Sequence, residues 1–193
     1  MPKIVNHQEK RQEILYHCFR LFTTHGYESL TMREIAGALE VSTGTLYHYF
    51  QSKSKLFEAM FAQLCERHIS AVKDRLRRLK GRQERCVALC EFFLETSDEL
   101  QQTIKLTLDF QRQITVHTRA GKLQPPGLLS QLALAYQSVL EDELELRRSG
   151  LSAGIFSFFL GLLLHRELAP KEVNLQEQLD CIQAFLSLDH GSA

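Results

Sequence analysis

Residues 31–50, TMREIAGALEVSTGTLYHYF, constrain this chain more than any other stretch. Thr31 followed three residues later by Glu34 is a capping-box signature: the hydroxyl caps a free backbone N–H and the carboxylate reaches back to the Thr31 N–H. Ile35, Ala36 and Leu39 then fall at helical spacing and give a short first helix its apolar stripe. Leu39-Glu40-Val41 makes a turn, and Ser42 is a good cap for a second short helix. In that second helix Leu46 and Phe50 point inward, which leaves Thr43, Gly44, Thr45, Tyr47 and His48 as one outward group.

The outward group is unusual for a solvated helix, whose wet face normally carries long charged side chains. Here it carries hydroxyls, a glycine, a phenol and an imidazole. Small residues let a backbone come close to another surface, and the short polar groups are donors to phosphates or base edges. A helix lying in the DNA major groove needs this chemistry. The competing reading is a small helical hairpin whose polar face merely meets water, and periodicity alone does not choose between them.

Residues 8–60 resemble the DNA-binding domain of the TetR family of bacterial repressors. The resemblance is carried by a first helix ending at Gly26-Tyr27, by Thr31-x-Arg33-x-Ile35-Ala36, by Val41-Ser42-x-Gly44-Thr45-Leu46-Tyr47-x-Tyr49-Phe50 and by Ser52-Lys53-x-x-Leu56. One residue departs from the pattern: Glu40 stands in the turn where the family usually has glycine. If that position is left-handed, a non-glycine residue costs on the order of 1 kcal/mol. The resemblance implies an all-α regulator with an N-terminal three-helix helix-turn-helix domain, residues 1–51. A larger effector-binding and dimerisation domain, residues 52–193, would follow. The expected contacts at bases or phosphates are Thr43, Thr45, Tyr47 and His48, with Gly44 permitting close approach and Ser42 and Tyr49 in the same surface. Thr31, Arg33 and Lys53 are expected to grip phosphates. Two lysines, Lys53 and Lys55, in the first turn of a helix oppose its dipole unless an anion sits there, although two solvated lysines are the plainer reading.

A formal net charge of zero argues against a protein that coats DNA by charge alone. The charge is not uniform: the first 55 residues carry seven Lys/Arg and five Asp/Glu, together with four of the eight histidines. That weak asymmetry suits a dimer reading a specific site. The five cysteines are scattered and the N-terminus lacks the apolar segment of a secretory signal, so a reducing, cytoplasmic location is expected. The longest apolar run, Gly154 to Leu164, is shorter than the roughly 20 residues that span a bilayer, so no membrane partner is expected.

About nine helices are expected. The first runs from about Gln8 to His25, with Ile14, Leu15, Cys18, Phe19 and Phe22 on one face and Gly26 as its left-handed cap. The fourth is long, Ser52 to Leu79, and passes from the DNA-binding part into the second domain. Arg75, Arg77, Arg78, Lys80, Arg82 and Arg85 form a basic run near its end, read as a solvated face rather than a second nucleic-acid patch. After Gly81, helix 5 covers 83–96 and helix 6 starts at Ser97 and runs to about His117. Residues 117–127, HTRAGKLQPPG, read as a loop because Pro125-Pro126 cannot continue a helix. Helix 7 spans about 128–147, helix 8 151–167 and helix 9 175–188. Helix 8 is apolar almost all round, with Gly154 and Gly161 seven residues apart on one face. Such a helix needs cover on two sides, and the expected cover is its own core on one and the same helix of a second subunit together with helix 9 on the other. A buried central helix of a monomer is the other reading.

No catalytic constellation stands out. A Gly-rich phosphate loop, HExxH and GxSxG are all missing, the acidic run Glu141-Asp142-Glu143-Glu145 reads as a wet helix face, and nothing brings His117, Asp109 and His165 together. Cys86 and Cys90 lie i, i+4 on one face, but two ligands are not a metal site and packing is the default. No cofactor, no metal and no enzyme activity are therefore expected. A small hydrophobic or amphipathic effector is expected in the second domain, with Phe92, Phe93, Leu106, Phe110, Tyr136 and Phe156 as candidate lining, although core packing explains each equally well. The alternatives are a regulator answering to oxidation of its thiols or to no ligand, and, from another class, an all-α enzyme or adaptor.

Overall fold

The computed structural model describes residues 7–117, 127–146 and 150–187. Every regular element among them is a helix: α1 His7–His25, α2 Met32–Ala38, α3 Thr43–Tyr49, α4 Lys53–Arg77, α5 Arg82–His117, α6 Leu128–Leu144, α7 Leu151–Leu168 and α8 Leu175–Ser187. The all-α class is as expected, with eight helices rather than nine. Residues 1–6, most of the expected loop at 117–127, and the expected last residues of helix 7 (to 147) and helix 9 (to 188) lie outside the described residues.

The missing helix boundary is at Ser97. Its neighbours Asp98 and Glu99 suggested a fresh N-terminus, but the Ser97 hydroxyl donates back to the Leu94 carbonyl at 2.8 Å inside an unbroken helix of 36 residues. Back-bonding of this kind satisfies the side chain without freeing the backbone. A polar triplet is a start signal only where the chain also needs to turn, and here Leu100, Ile104, Leu106 and Phe110 carry buried positions straight on.

The described residues form two compact units by contact density. The first draws on the described residues within Met1–Glu66 and Gln102–Leu128, the second on those within Arg67–Gln101 and Leu129–Ala193. In the first, the core is a chain of aromatic rings. Phe22 of α1 meets Phe57 of α4 edge-on at 5.4 Å, Tyr27 meets Phe57 at 5.1 Å, and Phe110 of α5 stacks on Phe57 at 4.4 Å while meeting Tyr27 edge-on at 5.0 Å. Offset and edge-on pairs contribute ~0.5–1.5 kcal/mol each beyond area burial. Cys18 is fully buried in this unit, a packing residue as its place on the apolar stripe indicated.

In the second unit Phe93 of α5 stacks on Phe159 of α7 at 4.4 Å. Arg166 fans across α5, donating to Gln101, to Ser97 at 3.1 Å and to Asp98 at 2.9 Å. The basic run largely neutralises itself: Arg75 pairs with Glu91 and Glu95, Arg77 with the buried Glu143, and Arg85 donates to the carbonyls of Leu79 and Glu143. No disulfide joins Cys18, Cys65, Cys86, Cys90 and Cys181. Burial pushes the Cys90 thiol up to about 12 and raises Cys86 as well, which disfavours the thiolate that redox chemistry needs.

α7 extends beyond the apolar run read from the sequence. At 18 residues, with a mean hydropathy of 1.3, it is long and apolar enough by length and composition to cross a membrane, as core helices of soluble proteins also are. Its open side is a seam of Gly154, Ser157, Gly161, Leu164 and Leu168, spaced three and four residues apart and all exposed.

Candidate nucleic-acid interface

The helical hairpin at 31–50 is built as its capping residues dictate. Thr31 Oγ1 accepts from the Glu34 N–H at 3.2 Å, and Glu34 Oε2 accepts from the Thr31 N–H at 2.7 Å, closing the capping box. The Thr31 hydroxyl and then its backbone N–H hold the Glu34 carboxyl below its usual range. At the far end of α2 the Val41 N–H donates to the Ala36 carbonyl at 3.0 Å and the Glu40 N–H to the Gly37 carbonyl at 3.2 Å. These are the two bonds of a Schellman motif, with Glu40 at the left-handed position, φ 53°. Glycine was the fitting residue there, and Glu40 adopts the conformation anyway. Ser42 then caps α3 by accepting from the Thr45 N–H at 2.9 Å.

On α3 only Leu46 is fully buried, and Phe50 just after it is buried too. Thr43 and Tyr47, one turn apart, and Gly44 and His48, also one turn apart, form the exposed face, with Tyr47 half exposed. Nothing inside the protein asks for glycine at 44. A Cβ built there would meet only Ser42 Oγ at an ordinary 3.7 Å. Gly44 stands in the first turn of α3, where the chain's own packing leaves room for a larger side chain.

The ten sequence-derived positions divide by what their side chains already do. Arg33, Thr43, Gly44, Tyr47 and His48 are exposed and open. Thr31 and Ser42 spend hydroxyl capacity on caps, and the Thr45 hydroxyl lies 2.7 Å from Ser42 Oγ. Tyr49 is half-buried and its hydroxyl meets His7 Nδ1 at 3.1 Å. Lys53 does not stand free at the start of α4. Its Nζ donates to the Tyr27 carbonyl at 2.9 Å and to the Glu28 carbonyl at 3.4 Å, and lies 4.3 Å from the centre of the Tyr27 ring. Burial lowers its pKa, with Glu28 and Glu34 pulling the other way. An ammonium has three N–H donors, so one remains for a phosphate. Lys55 pairs with Glu58 at 2.6 Å. His7 stands just before Gln8, where the first helix is expected to start, and its part in this surface is not legible from the sequence.

The six positions expected as effector lining are divided between the two units. Leu106 and Phe110 belong to the first unit, Phe110 in its aromatic core. In the second unit Phe93 stacks on Phe159. Tyr136 lies 5.6 Å from Phe156, and both Tyr136 and Phe92 meet a residue the sequence reading passed over, His68. His68 is 8% exposed and its Nε2 hydrogen-bonds to the Tyr136 hydroxyl. Burial, and then the charge of Arg67, lowers its pKa to about 4. A signal was present: Met60, Leu64, His68, Val72 and Leu76 run every fourth residue along α4, and His68 is the one polar member.

A capped helical hairpin presenting Thr43, Gly44, Tyr47 and His48 outward defines a helix-turn-helix DNA-binding regulator. Residues 14–60 match the model for "Bacterial regulatory proteins, tetR family". Over that stretch the chain matches the family, and it is a DNA-binding transcriptional regulator. It is 27% identical over 182 residues to the HTH-type transcriptional regulator BetI of Cronobacter sakazakii, covering 91% of this chain and 88% of BetI. It is 39% identical over 64 residues to the HTH-type transcriptional repressor AcnR of Corynebacterium efficiens, a match spanning 33% of this chain and only 34% of AcnR. Among solved structures its fold is similar to that of the transcriptional regulator FadR from Bacillus subtilis in complex with stearoyl-CoA. The TM-score is 0.67 at 15% identity, over 93% of this chain and 99% of FadR, a likeness of fold alone.

Proposed function

We propose that this chain is a homodimeric repressor that seats one α3 per subunit in successive major grooves of its operator and is released by an amphipathic small molecule. The observation that carries the reading is the exposed face of α3, with a glycine at 44 that the protein's own packing does not require. Thr43, Thr45, Tyr47 and His48 contact bases or phosphates, with Ser42 and Tyr49 beside them. Thr31, Arg33 and the remaining donor of Lys53 hold the backbone and set register. In functional terms residues 1–51 read DNA, and 52–193 bind the effector and dimerise. Repression is supported by the likeness of the helix-turn-helix region to the repressor AcnR.

The dimer is assigned to α7 and α8. The seam from Gly154 to Leu168 suits a close helix–helix approach across a two-fold axis, and a Cβ at Gly154 or Gly161 meets nothing within 4 Å in the single chain. The effector site is assigned to the second unit, around His68, Phe92, Tyr136 and Phe156. An apolar lining with one polar pair fits a ligand with a long apolar part and a polar head, and the same fold holds stearoyl-CoA in B. subtilis FadR. The effector must prefer the conformation that cannot seat both recognition helices.

The test is a competable gel shift with DNA upstream of the chain's own reading frame, followed by titration with acyl-CoAs of graded chain length. Specific binding of a two-fold symmetric site, lost on adding a long-chain acyl-CoA, is expected. No specific complex would refute the DNA reading. A complex that ignores every acyl-CoA while Phe156→Ala leaves thermal stability unchanged would refute the effector class.

A further inference from the structure

The DNA-reading surface does not end with α3. We infer that His7, the first residue of α1, belongs to it, and that His7, His48 and Tyr49 together form a proton-linked grip on a DNA phosphate. This rests on the DNA-binding reading and adds to it a residue, a ligand group and a pH dependence. His7 Nδ1 lies 3.1 Å from the Tyr49 hydroxyl, and its ring sits 5.9 Å from that of His48 and 6.1 Å from that of Tyr49. His48 and Tyr49 meet edge-on at 5.3 Å, so three polar rings from two helices share one exposed corner.

The charges around the corner leave it in want of an anion. Among the described residues no carboxylate pairs with His7 or His48. On α1 the nearest charged residues in sequence are Glu9, which is exposed, Lys10, whose Nζ pairs with Glu13 at 2.9 Å, and Arg11, which lies over the Phe50 ring at 5.3 Å. From α3 the facing groups are His48, Tyr49 and, one turn back, Thr45. With Nδ1 bare, the His7 ring accepts the Tyr49 O–H. When a proton from solvent binds Nδ1, the bond reverses: Nδ1–H donates to the Tyr49 oxygen, and the Tyr49 O–H is released outward to donate elsewhere. That proton also brings a positive charge beside the hydroxyl. Two imidazolium rings this close repel one another, and a phosphate set against both relieves the repulsion. Operator binding therefore takes up protons, and affinity falls as pH rises through the range where imidazole titrates.

The experiment is fluorescence anisotropy on a labelled duplex that the full-length protein selects from a random-sequence pool, at fixed ionic strength from about pH 5.5 to about pH 8. Wild type is expected to lose about two- to tenfold in affinity across this range. His7→Gln and Tyr49→Phe should each flatten part of that slope while keeping circular dichroism and thermal midpoint. His17→Gln, on the same helix but outside the cluster, should keep it. A slope unchanged in His7→Gln overturns the inference, and so does tight, pH-independent binding by wild type, which leaves the DNA-binding reading standing. No selected duplex at any pH overturns both.

Discussion

Glu40→Gly should stabilise this protein, although it deletes a side chain. Glu40 occupies the left-handed position of the α2 Schellman motif at φ 53°, where its N–H and that of Val41 close two bonds onto the end of the helix. An L-residue in that conformation costs ~1–2 kcal/mol. Glycine adopts it freely, but its unfolded chain has more freedom to lose, which takes back ~0.4–1 kcal/mol. The difference favours glycine by about 0.5–1 kcal/mol, or roughly 2–3 °C in thermal midpoint for a chain of this size. Urea unfolding of purified protein without DNA measures it, with an unchanged denaturant slope required for the comparison. Two further variants separate backbone from charge. Glu40→Gln removes the carboxylate and keeps the penalty, so it should match wild type; Glu40→Asn, better suited to the left-handed region, should fall between. A gain in Glu40→Gln equal to that in Glu40→Gly would refute the backbone argument and assign the effect to charge.

Tyr47→Ala should weaken operator binding by roughly 1–3 kcal/mol with no loss of stability, because the side chain is half exposed; anisotropy titration checks the first and thermal melting the second. Phe110→Ala should cost about 3–5 kcal/mol of stability, since it removes the ring stacked on Phe57 at 4.4 Å; chemical denaturation monitored in the far ultraviolet reads it. His68 has a folded pKa of about 4, below its unfolded value, so the unfolded state binds the proton first and stability is lost as pH falls from about 6.5 toward 4. The loss at pH 5 is about 2 kcal/mol, and urea midpoints for His68→Gln should show a correspondingly flatter acid limb. Gly161→Arg should leave a folded monomer by sedimentation velocity, because it places a charged chain in the open seam of α7.

The hairpin was legible because its signals are local and redundant. Thr31, Glu34 and Ser42 each satisfy a backbone group within three residues, so sequence spacing alone specifies the geometry. Gly26, at φ 79°, ends α1 for the same reason. What was not legible depends on distant partners. Ser97 reads as a helix start until one sees that buried residues continue on both sides of it. Lys53 reads as a free cation until the carbonyls of Tyr27 and Glu28, far away in sequence, take two of its protons' directions. Phe110 reads as a pocket residue because aromatic character does not say which unit it packs into, and Tyr27 and Phe57 decide that. His68 is the one polar member of an otherwise apolar every-fourth row along α4, and such a row draws attention to its apolar members.

The internal use of its cations also shapes how such a protein would let go of DNA. Around the recognition hairpin Lys10 is paired with Glu13, Lys55 with Glu58, Arg11 lies over Phe50, and Lys53 is largely spent on backbone carbonyls. Lys10 and Lys55 are offset by carboxylates, whereas Arg11, Arg33 and Lys53 keep their charge, so the salt dependence of binding should be that of a few phosphate contacts rather than many. Affinity then rests on short polar contacts that work only at hydrogen-bond distance, and on two half-sites being met at once. Contacts of that kind fail sharply when geometry shifts by an ångström, whereas a long lysine would follow the phosphate. On the proposed reading, a weakly charged reading head suits release by a small conformational change, and the effector's preference for the state that cannot seat both helices sets how far the equilibrium moves.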